Sequence, residues 1–142
     1  MRSYRPHVFL CLLLVAAAIT LACGSSSPHV PQSVTVSPAT ADAQSYPGGQ
    51  VPFTAIAYYN TMPSPVTNAA ATWNECLQGG GPSEGVSIST SGVAQCMSGA
   101  TGTYTIYAFV PDPTFRGECS GSSLPCGGTC GGVVGSAQLT CP

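Results

Sequence analysis

Thr103-Tyr104-Thr105-Ile106-Tyr107-Ala108-Phe109-Val110 is the stretch whose reading decides the fold. All its residues but Ala108 are β-branched or aromatic, and they alternate: Tyr104, Ile106 and Ala108 share one face, while Thr103, Thr105, Tyr107 and Phe109 share the other. A period of two is that of a half-buried strand, and a helix would scatter the same residues around its circumference. Working outward, similar short runs bounded by Gly, Pro, Asn and Ser occur at Ser33–Ser37, Gln50–Tyr58, Ala71–Cys76, Gly85–Ser89, Val93–Cys96 and Ser136–Cys141. Seven strands at this spacing predict an all-β antiparallel sandwich, and no stretch carries a convincing helical period. Alternation places Val34, Val36, Phe53, Ala55, Ala57, Ala71, Trp73, Val86, Ile88, Ala137 and Leu139 inward beside Tyr104, Ile106 and Ala108. The single Trp73 falls mid-strand and is expected at the centre of the core, because an indole supplies more buried area than any other side chain.

At the other end of the chain, Arg2 and Arg5 precede the apolar run VFLCLLLVAAAITLAC, Val8 to Cys23, and GSSS follows it. A basic start, an apolar stretch of about 15 residues and a small residue before the cut have the form of an export signal. The run is shorter than the roughly 20 apolar residues needed to span a bilayer. With Cys23 directly after Ala22, residues 1–22 resemble a bacterial lipoprotein signal, although Thr20 stands where such signals usually carry Leu. The resemblance implies that Cys23 is lipidated and becomes the mature N-terminus. Residues 23–32, small, polar and broken by proline, form the expected flexible tether, and 33–142 the expected domain.

Removing 22 residues of 142 leaves 120, enough for one domain with a modest core. Arg116 is then the only Arg or Lys, against Asp42, Glu75, Glu84, Asp112 and Glu118, a side-chain balance of −4 with His29 neutral. Nucleic acid is excluded as a partner, since displacing counterions from a phosphate backbone takes several cations. Recruitment by charge to an anionic membrane surface is excluded on the same ground.

Six cysteines follow Cys23: Cys76, Cys96, Cys119, Cys126, Cys130 and Cys141. Outside the cytoplasm an even number predicts three disulfides, whose pairing spacing alone does not resolve. The preferred arrangement joins Cys96 to Cys141 and Cys76 to a cysteine of the segment 111–134; the alternative joins Cys76 to Cys96. No metal is expected, because the last four cysteines lack close C-x2-C pairs and a nearby histidine. A thiol-redox role for Cys126-Gly127-Gly128-Thr129-Cys130 is disfavoured by its C-x3-C spacing and by the lack of a βαβ context.

Val34-Thr35-Val36-Ser37-Pro38 and Gly48-Gly49-Gln50-Val51-Pro52-Phe53-Thr54-Ala55 resemble the opening strands of the bacterial Ig-like group 2 family (BIG2). Thr72-Trp73, Ser89-Thr90-Ser91-Gly92-Val93 and Gly102-Thr103-Tyr104-Thr105-Ile106-Tyr107-Ala108 are similar to its later motifs. The resemblance covers Ser33–Val110 and resumes at Gly135–Cys141. It implies a seven-stranded Ig-like sandwich, with adhesion or surface display as the kind of work related domains do. The chain departs from the family in its cysteines and in the Gly/Cys-rich insertion 111–134 before the last strand, which has little to bury and is expected to depend on crosslinks.

Chemistry is sparse. The one mature histidine, His29, falls in the tether, where nothing in the sequence fixes its geometry for general-base work. Glu75 and Glu84 flank a Gly/Pro turn and are expected to be solvated rather than paired as in a glycosidase. No calcium loop is present, and no cofactor is expected. Recognition is the more plausible task. Tyr107 and Phe109, helped by Tyr58 and Tyr59, are a candidate contact patch for glycan or protein. The favoured competing expectation has the insertion folded over Tyr107 and Phe109. The chain is thus expected to be a non-catalytic, lipid-anchored module of the bacterial cell envelope, at the outer membrane or cell surface, for structure, adhesion or protein or glycan binding. A small secreted envelope enzyme or thiol-redox protein is the alternative.

Overall fold

The computed structural model describes residues 27–77, 84–116 and 131–142. Cys23, Cys119, Cys126 and Cys130, the expected signal and most of the expected insertion lie outside the described residues. Ten strands are present among the described residues. They are β1 (Pro31–Ser37), β2 (Thr40–Asp42), β3 (Gln50–Pro52), β4 (Thr54–Tyr59), β5 (Val66–Thr67), β6 (Thr72–Leu77), β7 (Val86–Ile88), β8 (Val93–Cys96), β9 (Gly102–Pro111) and β10 (Gly132–Cys141).

The strands make a β-sandwich-like arrangement. One layer is the four-stranded sheet β2-β10-β9-β6, in which β2 runs parallel to β10 and the other neighbours are antiparallel. The facing layer consists of two three-stranded sheets, β1-β4-β5 and β3-β8-β7. The continuous segment β3–Phe53–β4 passes from one sheet to the other, and the Phe53 N–H donates to the Gly92 carbonyl at 2.9 Å. The hairpin β7–β8 closes through Gly92 N–H to Ser89 O (3.0 Å) and Ser89 N–H to Val93 O (2.9 Å), with Gly92 at φ +83°. That conformation suits glycine, and here it pulls a bulged turn back toward the sheet.

The alternation read from the sequence is the one the core uses. Val34, Val36, Phe53, Ala55, Ala57, Val86, Tyr104, Ile106, Ala108, Ala137 and Leu139 are all buried, in one cluster shared by both layers. Ile106 and Leu139 are fully buried at its centre, on the two long strands that pair over their whole length.

Trp73 is a correction. It is half-buried and packs against the core from its margin, because β6 is the edge strand of its sheet. Ala71 and Ile88, also expected inside, are likewise only partly buried. The strand count differs as well. The expected Gln50–Tyr58 strand divides at Phe53, and β2 and β5 are three- and two-residue pairings too short to leave a periodic signal. The last strand begins at Gly132 rather than Ser136, so the segment expected as an insertion, 111–134, already includes the end of β9 and the start of β10. Two glycines hide that start. Gly132 lies under the Phe109 ring, and a Cβ on Gly135 would stand 2.6 Å from the Val34 carbonyl oxygen.

The expected tether also ends early. Pro31 and Gln32 belong to β1, and the residues just before them pair with the turn after β4: the Val30 N–H donates to Asn60 Oδ1 (2.8 Å), and the Asn60 N–H to Val30 O (3.1 Å).

Cys96 at the end of β8 and Cys141 at the end of β10 form a disulfide between the layers, with Cα atoms 5.8 Å apart and 45 residues between them in sequence. Closing a loop of that length removes unfolded-chain entropy worth about 4 kcal/mol in the chain-entropy account. Cys76 is disulfide-bonded too, and its partner lies outside the described residues. The alternative pairing of Cys76 with Cys96 is therefore not the one adopted.

Close approach of β1 to β10 at Gly135 gives a direct test. Gly135→Ala is expected to lower stability by about 1 to 3 kcal/mol through overpacking against the Val34 backbone. Urea denaturation followed by circular dichroism checks it, and an unchanged midpoint would show that the layers have slack at this point.

Candidate functional site

The edge position of Trp73 opens a groove along one flank of the sandwich, of about 600 Å³. Trp73 stands in register with Ala108 of β9, which turns its ring toward the inner face. The ring lies where a Cβ on Gly92 would fall, 2.8 Å from Cζ2, so the tight turn before β8 leaves space for the indole. On the other bank the chain turns at Asn68, whose φ of +55° belongs to the left-handed region that Asn tolerates better than most residues. The Ala69 N–H fixes that bank by donating to the Ala55 carbonyl at 3.0 Å.

Thr54, Asn68, Thr72, Thr90 and Ser91 line the groove together with Trp73 and several alanines. No lining side chain is charged. Hydroxyls and one amide can both donate and accept hydrogen bonds, and an indole edge offers an apolar contact. Such a surface suits a neutral molecule with both hydroxyl groups and apolar patches. It holds no acid or base for proton transfer. Among the described residues no group of three His, Cys, Asp or Glu side chains gathers where it could hold a metal ion.

A second hollow, about 500 Å³, lies at the opposite end of β8 beside Cys96, between Ala43, Tyr46, Met97 and Ala100. Its lining is mostly apolar, with Gln44, Ser98 and Thr101 as its polar side chains.

The aromatic residues singled out from the sequence do not form one patch. Tyr107 and Phe109 sit together on the outer face of β9, half-buried, with the Phe109 ring over Gly132. Tyr58, exposed at 41%, points from the outer face of β4, and Ala57 beside it is in the core between the layers. Tyr58 thus lies on the opposite side of the sandwich from Tyr107 and Phe109. Tyr59 is engaged elsewhere: its ring stacks on His29, with centroids 3.9 Å apart and planes 13° from parallel. His29 Nδ1 also bonds Thr61 Oγ1 at 2.8 Å. The histidine expected in a free tether is therefore fixed by two contacts, a ring stack and a hydroxyl hydrogen bond, and neither involves a carboxylate. The Lys- and Arg-poor sequence gave no sign of this docking, which depends on a turn 30 residues away.

Cys76 is 2% exposed although Thr105, its partner in register, lies on the outer face of the sheet. Glu75, next to it, faces inward opposite Ile106, and not toward solvent as expected. Burial pushes its carboxyl above the usual range, partly offset by a backbone hydrogen bond. Asp112 is held below the usual range by the Thr114 hydroxyl (2.6 Å) and backbone N–H (2.8 Å) in an exposed turn. Glu84 is exposed and is not near Glu75 in any hydrogen-bonded contact of the described residues.

Compared with known proteins, the chain matches no protein-family model and no curated protein.

Glu75 makes stability depend on pH. Because its folded pKa is raised, the folded state holds the proton more tightly than the unfolded chain does. Its contribution is harmless below about pH 4 and turns unfavourable as pH rises through the folded pKa. Glu75→Gln is expected to raise Tm at pH 7 and to leave it unchanged below about pH 4, read from melting curves across that range. Equal Tm values for both proteins at pH 7 would mean that the carboxylate is well solvated.

Proposed function

We propose that this chain is a lipid-anchored, non-catalytic Ig-like module of the bacterial cell envelope, and that the Trp73 groove binds neutral glycan. The strand order supports the Ig-like reading. The strands β1, β3/β4, β8 and β7 lie side by side in one layer and β6, β9 and β10 in the other, the arrangement of a seven-stranded Ig-like sandwich with its first, second, fifth and fourth strands opposed to the third, sixth and seventh. The short β2, parallel to β10, continues the first strand onto the second layer, and this addition accounts for part of the excess over seven. The fold itself leaves the activity open.

Extracytoplasmic residence is supported by the paired sulfurs. Cys96–Cys141 is oxidised and Cys76 is bonded, in a chain that opens on an export-type segment ending in Cys23. Disulfides of this kind persist in oxidising compartments.

The observation that carries the binding role is the uncharged, hydroxyl-lined groove with an indole at its wall. A pyranose ring presents hydroxyls at its rim and C–H groups on its faces. Thr54, Thr72, Thr90, Ser91 and Asn68 can meet the first, and the indole the second. A protein partner would bring charged side chains to a surface with no complement for them.

Trp73 is the only tryptophan, so its emission reports the groove alone. Titration of the full chain with a panel of neutral oligosaccharides of glucose and N-acetylglucosamine is expected to give a saturable shift of Trp73 emission for at least one of them. The same titration of Thr72→Val with Asn68→Ala is expected to need about tenfold more sugar, the loss of one or two hydrogen bonds. An unchanged spectrum across the panel, matched by no heat in calorimetry, would overturn the glycan reading.

A further inference from the structure

We propose that the turn formed by residues 60–65 is a second membrane contact, seated on the lipid surface with the Met62 side chain in the interfacial layer. This rests on the lipid-anchor reading of Cys23. The anchor and the turn are brought together by the docked N-terminal segment. His29 is stacked on Tyr59 and bonded to Thr61, and Val30 exchanges two hydrogen bonds with Asn60. Only residues 24–28 separate Cys23 from this fixed point. Fully extended, the six steps from Cys23 to His29 span at most about 20 Å, and a flexible chain of that length averages about 13 Å.

The domain is longer than its tether. The segment from Gln50 to Tyr59 alone, ten residues at about 3.3 Å each, extends about 33 Å. Its Tyr59 end carries the turn, and its Gln50 end lies beside Gln95, close to the Cys96–Cys141 bridge and Met97. A lipidated Cys23 therefore holds the Tyr59 end at the bilayer and leaves the Met97 end pointing away from it.

What the turn itself presents suits lipid. Met62 is 81% exposed, the most exposed large apolar side chain among the described residues. Asn60, Thr61, Met62, Pro63, Ser64 and Pro65 carry no charge, so entry into the interface neutralises nothing and meets no repulsion from anionic headgroups. Tyr58, exposed at 41%, adds an aromatic ring of the kind enriched at the headgroup level. The contact need not be strong, because the anchor already makes it intramolecular and its effective concentration high.

The two methionines that remain after processing, Met62 and Met97, provide their own control, since in water Met62 is the more exposed, 81% against 52%. The lipidated full chain is reconstituted in phosphatidylcholine vesicles, floated on a density gradient, and treated with periodate, an anionic oxidant that does not cross the bilayer. Sulfoxide at each methionine is then measured by mass spectrometry. Met62 is expected to oxidise about fivefold more slowly than Met97, the reverse of their exposures in water. Flotation with Met62 oxidising as fast as Met97 or faster would overturn the membrane contact while leaving the anchor in place. Failure to float would remove the anchor itself, and this contact with it.

Discussion

Two layers of sheet must be kept face to face by side chains that are mostly small. Alanine recurs throughout the core, at positions 43, 55, 57, 69, 94, 108 and 137, and the larger contributions come from Val51, Phe53, Tyr104, Ile106 and Leu139. Small residues let the layers approach closely, as where the Val34 backbone meets Gly135, but each buries little area. The Cys96–Cys141 bridge joins the layers at the end of two strands where the core gives out, and so supplies by chain restriction what the apolar interface lacks. That link holds the end of β8 to the end of β10 beside the hollow at Cys96, while register along β9 and β10 is carried by their own ten-residue pairing.

The same economy of charge shapes the molecule's surfaces. Cations are scarce, three in the whole sequence, and the surface is made largely of hydroxyls, amides, aromatic rings and exposed apolar tips. These are sorted by location. Hydroxyls and an indole line the flank groove, while the uncharged Met62 turn lies at the end nearest the N-terminal segment.

Much of the fold was legible because a period of two survives in the sequence wherever a strand is half-buried. Val34 with Val36, Ala55 with Ala57, and Tyr104 with Ile106 and Ala108 all fall as the alternation indicated. Trp73 was misplaced for a reason the pattern cannot carry: alternation gives the face of a sheet but not whether a strand is central or at its edge. The start of β10 was missed because Gly132 and Gly135 look like turn residues, whereas one accommodates a ring and the other a neighbouring backbone. The candidate site was barely legible. Asn68, Thr90 and Ser91 sit in turns that meet Trp73 only through tertiary packing, and His29 is captured by Tyr59 and Thr61 from a distant turn. Nothing in the sequence places Tyr58 relative to Tyr107 and Phe109, and the core lies between them.

Proteolysis of the native protein under non-reducing conditions, followed by mass spectrometry of the crosslinked peptides, tests the central claim most directly. The account predicts a peptide pair joined through Cys96 and Cys141, with Cys76 absent from the free-thiol fraction. Recovery of Cys96 and Cys141 as free thiols, or of Cys96 joined to Cys76, would contradict it.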